Sequence, residues 1–452
     1  MARAVHKALH ESDLTGARIV VGLSGGVDSV VLLDLLVKQV PLLGGSLTAV
    51  HVHHGLNPQA DRWAEFCAEL CSARNIPFTE ARVKVNRRSK LGIEGAAREA
   101  RYAVFRRQPA DAVALAHHLD DQGETLLLQL VRGAGVRGLS AMPVARFLDK
   151  TTGLRLVRPL LAVTRAQILA YAAQAKLSWV EDESNSDPAY DRNFLRTQVL
   201  PLLVTRFPGA PTTLARTARN LGDAAQLLDD LARSDGQGAL LADGLSVSAL
   251  EALPATRALN LLRWFLDQQG LQPASRDQVE EALRQALVAR RDARLQVKLG
   301  GVWLRRYRGR LYVDAGELST GRDWQRRWAG EPELVLPGRL GTIRFESAPG
   351  AGLSLERMRQ EQVVVRPRAG GERMRPAAGR PSRTLKNLLQ EAGVPEWQRD
   401  RLPLVFAGDA LVWVPGVGQD CRFAATAEEP GVVLHWDPST PGPGRPVRSS
   451  RA

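Results

Sequence analysis

Residues 24–29 of this 452-residue chain read SGGVDS and stand between two apolar runs. This arrangement predicts a strand, a glycine-rich turn and then a helix. Glycine lets backbone N–H groups approach an anion closely, and the N-terminus of the helix adds partial positive charge. We therefore predict a site for the phosphates of ATP, formed by Ser24, Gly25, Gly26, Val27, Asp28 and Ser29.

This turn differs from the common phosphate-binding loop of kinases and many ATPases. That loop contains a Gly-Lys-Ser/Thr sequence, and no lysine of this chain follows a glycine. The alternative interpretation is a tight turn without a ligand, in which Ser24 caps the helix. Serine, two glycines, aspartate and serine in so short a stretch exceed what capping requires, so the phosphate site is preferred.

A second polar cluster, HHLDDQGET at residues 117–125, follows another apolar run. A purely structural interpretation makes Asp121 the cap of a helix over 126–131 and Glu124 its capping-box partner. Carboxylates near bound phosphates can also hold a metal ion or accept the proton of an incoming amine. Their position beside the predicted phosphate turn favours this chemical interpretation.

Five histidines also fall near these two clusters. They are His51, His53, His54, His117 and His118. Zinc binding is an alternative, but the chain has neither the HExxH spacing nor the paired cysteines that make it specific. Hydrogen bonding or stacking against a nucleotide is the preferred interpretation.

The elements that must position these residues form a βαβα pattern. Strands are predicted at 19–23, 47–52, 78–85 and 112–116, with helices near 27–39, 59–74 and 93–108. Such alternation predicts an α/β domain with a parallel sheet that has helices on both faces. Ligands bind beyond the carboxyl ends of parallel strands, and Ser24, His53 and His117 all lie there.

Arginines are placed to serve the same site. Arg98 lies at helical spacing from Glu94 and Arg101 among small residues, which suits either a solvated ion-pair face or a reach toward an anion. Residues 132–138, RGAGVRG, contain a GxGxxG pattern that follows a helix rather than a strand, so a dinucleotide fold is not indicated. Arg132 and Arg137 in this turn are candidates for contact with phosphate or RNA.

The chain carries a formal net charge of +13, which favours an acidic partner such as nucleic acid, although a general preference for arginine would also produce it. Its three cysteines cannot form a disulfide framework and indicate reduced thiols. No apolar run approaches the length of a membrane span, and the first residues do not resemble a signal peptide. A cytoplasmic protein without a membrane partner is expected.

Pattern changes predict four regions. A catalytic α/β domain covers 1–210, a mostly helical domain 211–350, a small α+β domain 351–436 and a disordered tail 437–452. The third region contains a basic run for which we predict contact with nucleic-acid phosphates, a solvated loop being the alternative. Its members are Arg366, Arg368, Arg373, Arg375, Arg380, Arg383 and Lys386.

The chain resembles a known family in seven segments. They are SGGVDS at 24, VHHGL at 52, EGAAREARY at 94, HHLDDQGET at 117, RGAGVRGLSAM at 132, RPLL at 158 and EDESNSDPAYDRNFLR at 181. In this order they resemble the tRNA(Ile)-lysidine synthases, members of the PP-loop ATP pyrophosphatase superfamily. The resemblance is specific over residues 15–210 and weaker over 211–440.

This resemblance implies an enzyme that uses ATP to adenylate the C2 oxygen of the first anticodon cytidine of an isoleucine tRNA with a CAU anticodon. Free L-lysine then displaces AMP. By the same resemblance, the turn and His53 bind ATP and Asp28 lies near Mg²⁺ and pyrophosphate. Asp121 and Glu124 hold or deprotonate the lysine, and Arg98 steadies the nucleotide or the adenylated base. Members of the family also suggest a homodimer.

Two other functions stay open on the sequence alone. A tRNA thiolation enzyme of the same superfamily would need a cysteine to carry sulfur or a cluster, and the chain has no CxxC pair. A non-catalytic RNA-binding protein could keep ATP only as a structural ligand. Release of pyrophosphate that depends on tRNA distinguishes an enzyme from this second alternative.

Overall fold

The computed structural model describes residues 1–86, 88–89, 92–150, 152–181, 190–241, 244–269, 275–288, 295–314, 323–338 and 340–438. It divides into two compact units, Met1–Asp230 and Leu231–Ala452. Among the described residues, no helix is both long and apolar enough to cross a membrane.

The first unit is built on one six-stranded sheet. Its strands are β1 (Arg18–Gly22), β2 (Ser46–His53), β3 (Phe78–Arg82), β4 (Ala112–Ala114), β5 (Ala145–Asp149) and β6 (Leu154–Val157). The strand order is β3-β2-β1-β4-β6-β5, and every pairing is parallel except that of β5 with β6. The predicted parallel α/β sheet is thus confirmed, and β5 adds an antiparallel edge. The direction of strand addition reverses at β1, where α/β sheets bind ligands.

Helices cover both faces of this sheet. They are α1 (Ala2–Glu11), α2 (Val27–Gln39), α3 (Ala60–Ser72), α4 (Gly92–Arg106), α5 (Leu119–Val131), α6 (Val136–Leu139), α7 (Arg165–Gln174), α8 (Asp191–Phe194), α9 (Leu200–Arg206) and α10 (Ala210–Asp235). A 3-10 turn spans Pro41–Leu43, and a π-helical turn, Leu195–Val199, joins α8 to α9.

The burial of β1 explains the two-sided core. Ile19 and Val21 belong to one cluster of buried side chains, whereas Val20 belongs to a second cluster that includes Tyr102 and Phe105 of α4. Successive strand residues point to opposite faces, so a continuous apolar run fills both cores. The polar residues that follow β1 are thereby held at the carboxyl edge of the sheet.

The second unit combines helices with short antiparallel strands. Its first elements are β7 (Leu240–Leu241), β8 (Gly244–Ser246), α11 (Val247–Glu251), α12 (Ala255–Gln268), α13 (Arg276–Val288), β9 (Gln296–Leu299), β10 (Val302–Tyr307) and β11 (Arg310–Asp314). These five strands form one sheet, in the order β7-β8-β11-β10-β9. Apolar faces of α12 and α13 pack in the same core as Leu304 and Leu311.

The remaining elements follow as β12 (Arg326–Arg327), β13 (Glu333–Val335), β14 (Thr342–Ser347), β15 (Leu353–Ser354), α14 (Leu355–Arg359), β16 (Val363–Arg366), β17 (Arg373–Met374), β18 (Arg383–Thr384), α15 (Leu385–Glu391), α16 (Glu396–Arg399), β19 (Leu404–Ala407), β20 (Ala410–Val414), β21 (Gly418–Gln419) and β22 (Gly431–Asp437). A 3-10 turn lies at Cys421–Phe423. Strand β14, expected with the central helical region, instead pairs with β22 from Thr342↔Asp437 to Ser347↔Val432. The boundary predicted at 350 therefore separates strands of one sheet. Residues 439–452 of the predicted disordered tail lie outside the described residues.

Candidate active site

The glycine-rich turn follows β1 and leads into α2, as predicted. The residue that caps α2 is Gly26, so the alternative in which Ser24 caps the helix is wrong. Ser24 instead contacts Ser29, because its backbone N–H and its Oγ both donate to Ser29 Oγ, at 3.2 and 3.1 Å. Ser29 Oγ in turn donates to the Gly26 carbonyl at 2.9 Å. These bonds fix the turn and leave its backbone to face the end of the sheet.

Gly25 requires a glycine for two reasons. Its φ is +90°, a conformation that L side chains rarely adopt. A Cβ at this position would stand 2.7 Å from Val180 Cγ2 and 3.3 Å from Cys67 Sγ. The Gly25 carbonyl also accepts a hydrogen bond from the Val180 N–H at 3.0 Å. The neighbouring Gly26 has room for a Cβ, since its nearest contact is Ser24 Oγ at 3.7 Å.

Asp28 lies in the first turn of α2. Its Oδ2 lies 3.3 Å from Arg165 Nη1 and 3.9 Å from His118 Nε2. Its Oδ1 is buried and has no hydrogen-bond partner among the described residues. Burial raises the pKa of Asp28 above its usual value, and the charges of His118 and Arg165 offset this only in part.

This free carboxylate oxygen fits a Mg²⁺ ion that is bound mainly by phosphates. Magnesium commonly takes one or two protein carboxylates and completes its shell with water and phosphate oxygens. Within the described part of the chain, no group of three or more His, Cys, Asp or Glu side chains is arranged to hold a metal.

Helix α5 begins earlier than the sequence indicates. Its N-cap is His118, and Asp121 occupies the third helical position, where its Oδ2 accepts the His118 N–H at 2.9 Å. The purely structural alternative, in which Asp121 caps the helix with Glu124 as its partner, is thus wrong by three residues. The shift places both Asp121 and Glu124 within the first two turns, at 6% and 1% exposure.

Two arginines that the sequence analysis did not single out neutralise these buried acids. Arg192 donates from Nε to Glu124 Oε2 at 2.7 Å and from Nη2 to Asp121 Oδ1 at 2.9 Å. Arg196 donates from Nε to Glu124 Oε1 at 2.5 Å and from Nη2 to Asp121 Oδ1 at 3.1 Å. Burial alone would raise the pKa of Asp121, but the charges of His118 and Arg192 lower it overall. Their spacing of four residues in segment 181–196 was the available signal.

His118 links the two acidic positions. Its Nε2 lies 3.6 Å from Asp121 Oδ2, in addition to the Asp28 contact, and its Nδ1 lies 3.5 Å from Asp120 Oδ2. Burial tends to lower the pKa of this imidazole, but the neighbouring carboxylates of Asp120, Asp121 and Asp28 raise it overall. The phosphate turn and the α5 acids therefore belong to one electrostatic network.

The other histidines occupy the same edge with different partners. His51 Nδ1 bonds the Leu23 carbonyl at 2.9 Å, which supports the start of the turn. His53 Nε2 lies 3.3 Å from Asp61 Oδ1 without hydrogen-bond geometry. Burial lowers the pKa of His54 to about 4 and that of His117 to about 3, so both are neutral near pH 7.

The remaining predicted arginines of the first unit lie on separate elements. Arg98 of α4 donates to the Tyr102 hydroxyl at 3.1 Å, and its guanidinium lies 4.9 Å from the centre of that ring. Arg132 pairs with Asp191 at 3.1 Å, and Arg137 pairs with Asp229. Arg132 thus pairs with an acid on α8, the helix that carries Arg192.

The basic run of the second unit is divided by the fold. Arg366 lies 3.7 Å from the centre of the Phe406 ring, Arg368 lies 3.7 Å from Asp400, and Arg383 pairs with Glu391. Arg373 is exposed and donates to the Ser382 carbonyl at 2.6 Å. Arg375, Arg380 and Lys386 are also exposed, so a cationic surface persists after internal pairing.

The cysteines are not arranged for sulfur transfer. Cys67 and Cys71 are fully buried on α3, and burial raises the pKa of their thiols to about 12 and about 11. Thiols with such values are not nucleophilic thiolates at neutral pH. Cys421 is free as well and lies in the second unit.

Three family models match the chain. A PP-loop domain matches residues 1–203, a TilS substrate binding domain residues 245–312, and a TilS substrate C-terminal domain residues 363–436. The PP-loop match covers the sheet, the glycine-rich turn and the paired acids. The other two matches fall within the second unit.

Full-length relatives have the same extent. The tRNA(Ile)-lysidine synthase of Nitrosomonas europaea is 44% identical over 94% of this chain and 93% of its own. That of Azoarcus sp. is 44% identical over 94% of this chain and 92% of its own. Among solved structures, the U34-tRNA thiolase NcsA from Methanococcus maripaludis aligns with 49% of this chain and 77% of its own, at 20% identity and a TM-score of 0.41. On the matched domains and the identity of its full-length relatives, this chain belongs to the tRNA(Ile)-lysidine synthase family.

Proposed function

We propose that this protein converts the first anticodon cytidine of an isoleucine tRNA with a CAU anticodon into lysidine, using ATP and free L-lysine in the cytoplasm. The observation that carries the proposal is the placement of two buried carboxylates, Asp121 and Glu124, in one network with the glycine-rich turn through His118. A phosphate-binding turn without lysine and a paired acid site together suit ATP-driven transfer of an amine.

In the first step the turn holds the triphosphate of ATP. The backbone N–H groups of Val27 and Asp28, the first two residues of α2, have no acceptor within the helix and would donate to phosphate oxygens. Asp28 would hold Mg²⁺ through its unpaired Oδ1. When bound, this ion stabilises the negative charge of departing pyrophosphate. The C2 oxygen of the cytidine attacks the α-phosphorus, pyrophosphate leaves, and the base becomes an AMP ester.

In the second step lysine replaces the activated oxygen. The ε-amine attacks C2, the C2–O bond breaks, and AMP leaves with the oxygen. The side-chain pKa of free lysine is about 10.4, so at neutral pH nearly all of it is unreactive ammonium. Asp121 and Glu124 bind this ammonium and one of them accepts its proton.

The arginines set the state of this acid pair. Arg192 and Arg196 already neutralise both carboxylates, so lysine binds when its ammonium takes over part of that role. A guanidinium released from a carboxylate has phosphate oxygens within the same site as alternative acceptors. Arg98 steadies the nucleotide or the adenylated base. His53, at the carboxyl end of β2, contacts ATP.

The exposed cations of the second unit hold the tRNA backbone in this proposal. They are the members of the basic run that the fold leaves at the surface. Arg132 and Arg137 are separate candidates for phosphate contact in the first unit. Phosphate contacts of this kind position an RNA without reading its sequence. The target cytidine must leave its loop stack to reach the site. A homodimer stays a prediction.

Incorporation of labelled lysine tests the proposal. The purified protein is incubated with ATP, Mg²⁺, radiolabelled lysine and tRNA carrying a CAU anticodon, and the tRNA is digested to nucleosides. We expect label in one modified nucleoside, with AMP and pyrophosphate released in equal amounts. Absence of label, or release of ADP and orthophosphate, would refute lysidine formation. Two buried thiols with raised pKa values do not support the thiolation alternative.

A further inference from the structure

A cluster of arginines surrounds one buried tyrosine next to the candidate active site. Tyr102 of α4 is 6% exposed, and its hydroxyl accepts a hydrogen bond from Arg98 Nη2 at 3.1 Å. The guanidinium of Arg146 lies 5.7 Å from the centre of the same ring. Arg158, which is 2% exposed, also faces this hydroxyl, and Arg101 carries a charge that acts on Arg98 and Tyr102.

Glu94 is the acidic neighbour whose charge acts on Arg101. Among the described residues, no carboxylate lies within ion-pair distance of Arg98, Arg101, Arg146 or Arg158. Arg158 Nη1 donates to the Pro143 carbonyl at 2.7 Å, but the buried Nε atoms of Arg158 and Arg101 have no hydrogen-bond partner there. Burial of a guanidinium without an anion is costly, so the buried Arg158 is expected where an anion binds, whereas Arg146 is an exposed cation beside it.

The sheet places this cluster at the ligand-binding edge. Arg158 directly follows the last residue of β6, and Arg146 pairs with Leu156 at the start of the antiparallel strand β5. Strands β4 and β6 lie next to β1 in that order, so Arg158 follows a strand that β4 separates from the strand before the phosphate turn. Arg192 acts electrostatically on both Arg101 and His117, which connects the cluster to the acid pair.

We propose that Arg101, Arg146 and Arg158, gathered around Tyr102, form a phosphate subsite that holds a backbone phosphodiester beside the target cytidine. Guanidinium forks bind phosphate oxygens in bidentate fashion, and a tyrosine hydroxyl can donate to the same group. The triphosphate of ATP has its own turn after β1, so a second anion site two strands away suits the backbone of the RNA. This inference rests on the proposed function, because it assigns the anion to the substrate RNA.

The test combines protein variants with a neutralised phosphate. Arg146→Gln and Arg101→Gln remove cluster charges, whereas Arg106→Gln removes the same charge from an exposed position of α4 and serves as the control. The RNA is a synthetic anticodon stem–loop with a CAU loop. A second RNA carries a methylphosphonate in place of the phosphodiester next to the cytidine, and a third carries it at the end of the stem.

Affinity is measured by fluorescence anisotropy without ATP or lysine. We expect Arg146→Gln and Arg101→Gln to bind the unmodified RNA about tenfold more weakly, and Arg106→Gln to bind like the parent protein. The methylphosphonate beside the cytidine should weaken RNA binding by the parent protein by a similar factor. It should cause no further loss of affinity in Arg146→Gln, because that variant already lacks the contact. The methylphosphonate at the end of the stem should have the same effect on RNA affinity in the parent protein and in all three variants.

Three results would overturn the subsite. The first is equal affinity of the cluster variants and Arg106→Gln. The second is that the losses of RNA affinity caused by Arg146→Gln and by the methylphosphonate beside the cytidine add up in full. The third is unchanged RNA affinity with a raised inhibition constant for pyrophosphate, which would assign the anion to ATP chemistry. The affinity measurements contain no lysine and do not depend on lysidine formation. If lysidine did not form but the expected affinities were found, only the proposed function would be refuted.

Discussion

Arg196 and Glu124 form a two-point ion pair in which Nε lies 2.5 Å from Oε1 and Nη2 lies 2.9 Å from Oε2. Glu124 is 1% exposed, so this carboxylate has left water and depends on guanidinium donors. Glu124 Oε2 also accepts a hydrogen bond from Arg192 Nε. Any cationic substrate that uses Glu124 must therefore compete with, or add to, a pair already formed inside the protein.

Replacement of this acid should separate the two partial reactions. Glu124→Gln keeps the size of the side chain and one acceptor oxygen but removes the charge that holds an ammonium and accepts its proton. We expect transfer of labelled lysine to fall about 100-fold or more, while tRNA-dependent pyrophosphate release changes little. Equal loss in both measurements would contradict the role given to Glu124.

Replacement of Asp28 should impair adenylation and leave lysine transfer intact, which is the reverse of the effect expected for Glu124. Asp28→Ala removes the unpaired oxygen proposed to hold Mg²⁺, so we expect adenylation, measured as pyrophosphate release, to be abolished. If pre-adenylated tRNA can be isolated, the variant should still pass it to lysine. An Asp28→Ala protein that releases pyrophosphate at the parent rate would remove Asp28 from the mechanism.

The two glycines of the turn should respond differently to alanine. Gly25→Ala introduces a strained φ and a Cβ 2.7 Å from Val180, so the free energy of unfolding should fall by about 1–3 kcal/mol. Gly26→Ala meets no such contact and should preserve stability while it weakens ATP binding, because a methyl group covers the phosphate face. Urea denaturation and nucleotide titration measure the two effects. Equal stability of both variants would argue against the conformation described for Gly25.

The neutral state of His117 predicts a dependence of stability on pH. Its pKa is about 3 in the folded protein and about 6.5 when unfolded. Above pH 6.5 both states are neutral, but between pH 6.5 and 3 only the unfolded chain binds the proton. The free energy of unfolding should therefore fall with decreasing pH, by up to about 1.4 kcal/mol per unit for this group.

The comparison with His117→Gln isolates this contribution. The variant should have a flatter urea-denaturation profile between pH 7 and 4 than the parent protein, whereas His10→Gln, at an exposed site, should match the parent. Parallel profiles for the parent and His117→Gln would show that His117 is protonated in the folded state.

The basic surface of the second unit predicts a salt-dependent interaction. Charge reversal at Arg373 and Arg380 should weaken tRNA binding strongly at low salt and reduce the dependence of log affinity on log salt concentration. Arg359→Glu reverses the charge of an exposed arginine outside the run and is the control for each of the two single substitutions. Affinity unchanged in the double variant would favour the solvated loop.

Local signals predicted the scaffold well. The glycine-rich turn after β1 is encoded within a few residues, and it lies between β1 and α2 as those residues predict. The start of α5 was placed wrongly because two overlapping registers, 118–121 and 121–124, both fit a capping box. An aspartate is the better cap by propensity, but burial of Asp121 against arginines selects the other register.

The arginine pair shows what local patterns cannot supply. Arg192 contacts Glu124 from 68 positions away along the chain, and no periodicity near either residue indicates the other. The same holds for the Tyr102 cluster, whose arginines come from α4, β5 and the end of β6. Their convergence depends on sheet order, which crossover connections set and which sequence periodicity does not specify.

The hydrogen bond between the Val180 N–H and the Gly25 carbonyl ties the glycine-rich turn to the chain that follows α7. The turn is therefore anchored by a residue outside β1 and α2, and its conformation depends on a part of the chain that lies far away in the sequence. A substitution at Val180 would reach the nucleotide site through this bond, although Val180 carries no group that could react.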